Sequence, residues 1–356
     1  MGKPVGIRLQ AFIMQGFTSI RSVFDRLYFM RVFRGLHPAT DAGAAITIGN
    51  FDGMHLGHQA LLRQLRAEAQ SRGLRASVLT FAPHPREFFA RKAAGTSAPL
   101  ANIPARLHTL REKLEALAAA GIDETRVCRF DDPFAGLSPE DFVRTVLVDA
   151  MHARHVMVGD DFRFGARRAG DFALLKSLGE RYGFSVSALD SQCLGGERIS
   201  SSQVRAALAA GDLNRAEALL GYPYAMEGRV IHGRQLGRTI GVPTANVQIR
   251  HDPLPLRGVF VVDVALDETQ AAVPQATRRY AGVANLGYRP TLGGDTRPLL
   301  EVHLFDYAGD LYGAHLDVRF LAKLRDEMTF ANFEALTTQI QEDLKQAREF
   351  FSSAIL

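Results

Sequence analysis

A mostly apolar run, Ala44-Ala45-Ile46-Thr47-Ile48, feeds the decapeptide Gly49-Asn50-Phe51-Asp52-Gly53-Met54-His55-Leu56-Gly57-His58. Gln59-Ala60-Leu61-Leu62-Arg63-Gln64-Leu65 follows, with leucines at helical spacing. This reads as a buried strand, a glycine-bearing turn and the start of a helix. Such a junction suits an anion, because glycines let the backbone approach and the first helical N–H groups have no partners of their own. His55 and His58 are three apart and can address one phosphate from a single helical face. Imidazoles can donate hydrogen bonds, or charge, to oxygens that become more negative during nucleotidyl transfer. The alternative is a plain strand–turn–helix corner with two surface histidines.

A second hydroxyl-rich start, Ile199-Ser200-Ser201-Ser202-Gln203-Val204-Arg205, precedes an alanine-rich helix that Gly211 can stop. Ser201, Ser202 and Arg205 could there hold the far end of a triphosphate, or simply cap an ordinary helix. From residue 30 to about 190 strand and helix patterns alternate. The strands are expected at 44–48, 76–81, 126–130, 153–158 and 184–189, and the helices at 59–71, 105–119, 139–149 and 172–182. Alternation of this kind predicts a parallel sheet wound by helices, with ligands beyond the carboxyl ends of the strands.

After Gly221-Tyr222-Pro223 the pattern changes to short β-branched strands with frequent turns, then one long helix at 330–351. This predicts a compact β-barrel with a terminal helix, docked on the barrel through Phe333, Leu336, Ile340, Leu344 and Ala347. Within it, Gly233, Gly237 and Gly241 could wrap a phosphate chain, or belong to a plain glycine-rich hairpin with a capped turn. Thr244 and Asn246 alternate with Ala245 in an extended run and offer two neutral oxygens suited to Mg²⁺. Glu301, in the apolar run Leu300-Glu301-Val302, is an odd carboxylate that needs a partner or a task.

Together the decapeptide and the serine-rich segment resemble a nucleotidyltransferase family with a His-x-Gly-His signature. Thr80-Phe81-Ala82-Pro83-His84-Pro85, Val158-Gly159-Asp160-Asp161-Phe162-Arg163-Phe164-Gly165 and Gly241-Val242-Pro243-Thr244-Ala245-Asn246 narrow the resemblance to prokaryotic bifunctional riboflavin kinase/FAD synthetase. Class I aminoacyl-tRNA synthetases share the first motif, but their second is rich in lysine.

The resemblance implies two modules. A Rossmann-like α/β FMN adenylyltransferase domain would span 30–215, and a six-stranded β-barrel riboflavin kinase domain with a terminal helix would span 222–356. In the first, ATP would meet Gly49, Phe51, Asp52, Gly53, His55, Gly57, His58, Ser201, Ser202 and Arg205. Flavin would meet Pro83, His84, Pro85, Asp161 and Phe162. In the second, ATP would meet Gly233, Gly237, Arg238, Gly241, Thr244 and Asn246, with Mg²⁺ on the last two. Glu301 would be the catalytic carboxylate, and Arg325 and Glu327 would lie near the flavin. Arg289 is left without a definite role. ATP, riboflavin and FMN are the expected small-molecule partners, with FMN as intermediate and FAD as product. A different nucleotidyltransferase fused to an unrelated barrel, or a flavin sensor, would be the competing classes.

A net charge of +4 is too mild to suggest nucleic-acid binding, and no apolar run approaches a membrane span. Cys128 and Cys193 lack metal-like spacing and are expected to be reduced in a cytoplasmic protein, a monomer or weak homo-oligomer. Residues 1–29 contain no h-region with a cleavage site. They are expected to be a disordered extension, with Met30 as the functional start.

Overall fold

The computed structural model describes residues 30–37, 42–94, 103–189, 192–233, 241–266, 278–290 and 296–353. The expected extension at 1–29, and Gly237 and Arg238, lie outside the described residues.

Six parallel strands form the first sheet: β1 (Arg31–Arg34), β2 (Ala44–Ile48), β3 (Arg75–Ala82), β4 (Glu124–Arg129), β5 (Ala153–Gly159) and β6 (Ser185–Leu189), in the order β1-β4-β3-β2-β5-β6. All five residues of β2 are buried, as a central parallel strand covered on both faces requires. The two faces separate by alternation. Ile46, Val156 and Val158 join one apolar cluster with Phe142, Val146 and Leu175, while Ala45 and Met157 join the other with Leu61, Leu62 and Leu65. The chain leaves β2 toward β3 on one side and reaches β5 on the other, so the strand order reverses there. A crevice opens at such a reversal, beyond the strand ends.

The longer α-helices of this half are α1 (Leu56–Ser71), α2 (Pro85–Ala94), α3 (Leu110–Ala119), α4 (Phe172–Tyr182), α5 (Ser201–Ala210) and α6 (Leu213–Leu220), with a π-helical stretch at Phe142–Ala150 between α3 and α4. The helix expected from 105 begins only at Leu110. Thr109 and Glu112 form a reciprocal capping box, and the preceding segment is held out of the helix because Asp52 takes the Leu107 and His108 N–H groups. Helix α2 and a small hairpin, β7 (Cys193–Leu194) with β8 (Glu197–Arg198), were not expected.

The second sheet closes as β10-β13-β12-β11-β14-β9, antiparallel throughout. Its strands are β9 (Ala225–Ile231), β10 (Ala245–Gln248), β11 (Gly258–Leu266), β12 (Arg279–Pro290), β13 (Thr296–Leu304) and β14 (His315–Arg325). Leu300, Val302 and Leu304 of β13 point inward with Leu316, Val318 and Phe320 of β14. Helix α7 (Phe333–Ser353) packs outside through Leu344, Ala347, Phe350 and Phe351. Phe333 departs from the expected stripe and is 59% exposed.

No slack linker joins the two halves. Leu213, Ala216, Leu219 and Leu220 share one buried cluster with the barrel interior. The Tyr222 and Tyr224 hydroxyls donate to the Gly53 and Leu107 carbonyls at 2.8 and 2.9 Å. Glu112 accepts from the Glu227 backbone N–H at 3.0 Å and lies 3.0 Å from His251 Nε2.

Candidate active sites

The turn after β2 sits at the reversal of strand order. Gly53 has φ +81°, and a Cβ there would lie 2.6 Å from Leu107 Cδ1, so this position needs glycine. His55 caps α1: its Nδ1 accepts from the His58 backbone N–H at 3.3 Å. In the neutral ring the remaining proton therefore belongs on Nε2. The two imidazoles stack with centroids 3.7 Å apart. Burial, followed by the Arg198 guanidinium, pushes His55 down to about 4. Burial, followed by His55, pushes His58 well below the ordinary histidine range. Both rings are thus neutral hydrogen-bonding groups near pH 7, and the buried His58 Nδ1 has no partner among the described residues. Phe51 is fully buried against the His58 ring, so only its backbone can face a nucleotide.

Asp52 is an internal brace. Its carboxylate accepts from the Leu107 and His108 N–H groups and pairs with Arg205, while the Arg205 Nε donates to the Ala105 carbonyl at 2.6 Å. Burial alone would raise this carboxyl, but Arg205 and the His108 N–H outweigh it and hold it below the ordinary value. Ser201 Oγ donates to the Asp52 carbonyl at 2.8 Å, while Ser200, rather than the two serines after it, caps α5. Ser202 is exposed. The structure therefore brings His55, His58, Ser201 and Arg205 together around one turn.

Among the residues expected to meet flavin, His84 is pushed down to about 4 by burial, against the opposing pull of Asp52. Asp161 receives both ends of the Arg198 guanidinium, at 2.7 and 2.9 Å, and Phe162 stacks on Phe164. Arg198 arrives on the β7–β8 hairpin. A row of aromatic edges, Phe81, Phe130, Phe134, Phe88 and Phe89, lies beyond Pro83–Pro85, and Phe89 is 52% exposed. The adjacent pair Phe88-Phe89 is the one sequence signal for this row and for helix α2, and it has no periodicity that would mark either.

The barrel site is built from register. Asn246 of β10 pairs directly with Glu301 of β13, which pairs with Asn285 of β12. Directly opposed residues share a face, and Leu300 and Val302 occupy the inner one, so these three polar side chains line the outside of the barrel. The same level continues through Val259 to Arg325. Arg289 lies 3.3 Å from Glu301. Asn285 was not singled out from sequence, since only strand pairing sets it beside Glu301. The Asn246 amide rests over Gly233, where a Cβ would collide with it. Thr244 is exposed one residue before β10, and His303 Nδ1 meets the Pro243 carbonyl at 2.8 Å. Two neutral oxygens beside a carboxylate fit a hard cation whose remaining ligands are phosphate and water. Arg325 forks onto Asp343 of α7, and Glu327 packs over Gly287, with burial raising its carboxyl.

A family model described as FAD synthetase matches residues 37–203, and one described as riboflavin kinase matches residues 220–351. The bifunctional riboflavin kinase/FMN adenylyltransferase of Escherichia coli (strain K12) is 47% identical over 325 residues, 90% of this chain and 98% of that protein. Its Haemophilus influenzae counterpart is 44% identical over 326 residues, 91% of this chain and all of that protein (100%). A Streptococcus pneumoniae crystal structure described as a macrolide-efflux protein is 28% identical, with a TM-score of 0.74 across 90% of this chain and 99% of that chain. Among the described residues no helix is long and apolar enough to cross a membrane.

Proposed function

The chain belongs to the bifunctional riboflavin kinase/FMN adenylyltransferase family, and we propose how its residues divide that work. The protein phosphorylates riboflavin with ATP to give FMN, and adenylylates FMN with ATP to give FAD and pyrophosphate. We assign the second reaction to the α/β module (30–215) and the first to the barrel module (222–356).

In adenylyl transfer the FMN phosphate attacks the α-phosphorus directly, and no protein nucleophile is required. His55, through Nε2–H, and His58 donate to the α- and β-phosphate oxygens as charge builds there. Ser201 and Arg205 steady the departing pyrophosphate, with Arg205 oriented by Asp52. Ser202 contributes through its N–H group at the start of α5. Gly49, Gly53 and Gly57 give the backbone its approach, Asp52 and Phe51 support the turn from below, and Pro83, His84, Pro85, Asp161 and Phe162 shape the flavin side. The observation that carries this reading is the knot of His55, His58, Ser201, Arg205 and Asp52 at the reversal of strand order.

In the barrel, Glu301 takes the proton of the riboflavin O5′ hydroxyl as it meets the γ-phosphorus. Arg289 holds the carboxylate until substrate arrives. Thr244 and Asn246 would hold Mg²⁺, which supplies charge neutralisation to the phosphates when bound. Gly233 and Gly241, with Gly237 and Arg238, accommodate the nucleotide. Arg325 supports the flavin side through Asp343 and the terminal helix, and Glu327 borders it. We further propose a cytoplasmic monomer or weak homo-oligomer that acts on small molecules and not on nucleic acid.

Incubation of the purified chain with riboflavin, ATP and Mg²⁺, followed by chromatography of the flavins, should show FMN rising and then FAD. Riboflavin recovered unchanged would overturn the assignment.

A further inference from the structure

Among the described residues, Lys113 is a buried cation without a counterion. It lies on the packed side of α3, is 7% exposed, and has Nζ 3.3 Å from Thr80 Oγ1. No carboxylate lies within ion-pair distance of it among the described residues, which leaves its other two N–H groups without a close anion. Thr80 is fully buried near the end of β3 and donates in turn to the Asn50 carbonyl at 3.3 Å. Two hydrogen bonds thus connect this ammonium to the turn that carries His55.

The groups around Lys113 explain why its charge is uncancelled. Asp52 of the turn is committed to Arg205 and two backbone N–H groups. Glu112, next to it on α3, is committed to Thr109, Glu227 and His251. His58 of α1, His84 after β3, and Arg106 and His108 ahead of α3 add no negative charge. Two further atoms nearby, His58 Nδ1 of α1 and Asn50 Oδ1 of the turn, are buried without partners among the described residues. An unpaired ammonium in such surroundings is costly, and a polyanion bound at the turn would relieve it.

We propose that Lys113 is a further positioning residue for adenylyl transfer. It holds the Gly49–His55 turn through Thr80 and Asn50, and it sets a positive charge behind His55 and His58 that the ATP phosphates neutralise. The inference rests on the α/β module being the adenylyltransferase site. Burial pushes Lys113 down to about 8, with Asp52 opposing, so the charge is held at neutral pH and lost above about pH 8.

The test uses full-length Lys113→Met, Lys113→Arg and Thr80→Val. FAD formation from supplied FMN is followed between about pH 6 and 9.5, with riboflavin phosphorylation by the same preparations as the folding control. Lys113→Met should lower kcat/KM for ATP at least about thirtyfold and abolish an alkaline limb near pH 8. Lys113→Arg should recover most of the activity and carry that limb out of range. Thr80→Val, which keeps the charge, should lose only a few-fold. Activity of Lys113→Met within threefold of the parent, a limb near pH 8 that persists in Lys113→Arg, or Thr80→Val reproducing the whole loss would overturn the proposal. If Lys113→Met does not fold, the limb of the parent against that of Lys113→Arg decides. A parent chain that phosphorylates riboflavin but never adenylylates FMN overturns the reading of the module, and this proposal with it.

Discussion

Two carboxylates show how differently the halves of this molecule are built. Asp52, at the sheet reversal, is almost completely buried and held by Arg205 and two backbone N–H groups. Glu301, on the outer wall of the barrel, is partly open and meets one guanidinium at 3.3 Å. A carboxylate with its lone pairs taken can brace a site but cannot accept a proton during reaction. One with a single, longer contact keeps the capacity to do so. The α/β site is therefore braced by a carboxylate committed to its partners, whereas the barrel site keeps the Glu301 carboxylate available.

The largest expected effects test the division of labour. His58→Ala should reduce FAD formation ~10²–10³-fold while FMN accumulates, and Glu301→Ala should reduce riboflavin phosphorylation comparably while supplied FMN still becomes FAD. Either substitution removing both activities from a folded chain would break the comparison.

Next in size is stability. Asp52→Asn should destabilise the protein by about 3–5 kcal/mol, because it leaves Arg205 buried without its anion. Glu301→Gln should cost less than about 1 kcal/mol, since the Arg289 pair is a single, longer contact that is partly open to solvent. Urea titration of both variants measures the contrast, and equal losses would contradict it.

A third effect sharpens the comparison through pH. His55 and His84 are both pushed down to about 4, from the ordinary 6.5, by burial first. Between those values the unfolded chain binds protons that the folded chain refuses. Stability should therefore fall as pH drops from about 6.5 toward 4. Replacing both histidines with glutamine should flatten that slope in thermal melts. An unchanged slope would remove these rings as its source.

The smallest effect concerns the cap. Ser200→Ala should cost about 1 kcal/mol by removing the acceptor for the Gln203 N–H, with little change in the kinase reaction. A chain as stable as the parent would show that Ser201, through the Asp52 carbonyl, anchors α5 alone.

Much of the architecture was legible because its signals are local. The buried run 44–48, the helix 172–182 and the stop at Gly211 follow from hydrophobic period and glycine chemistry, and the structure places them where sequence does. The failures share one cause. The helix expected from 105 starts late because a carboxylate over fifty residues away captures the N–H groups of Leu107 and His108. Phe333 fits the stripe of α7 by spacing, yet lies beyond the part of the helix that meets the barrel. Asp52 read as a turn residue near ATP, because nothing local discloses that Arg205 and residues 107–108 surround it.

The sequence by itself determined the α/β-then-barrel plan and a strand–turn–helix junction suited to an anion, since periodicity, capping and glycine placement act within a few residues, while the residues expected to do each reaction followed from the family resemblance. Only the tertiary structure decided which of those residues meet: Asp52 with Arg205, Asn246 and Asn285 on either side of Glu301, Lys113 beneath the histidine turn. Those pairings depend on strand order, ladder register and burial. Such quantities are fixed when distant segments pack together, and no local stretch of chain encodes them.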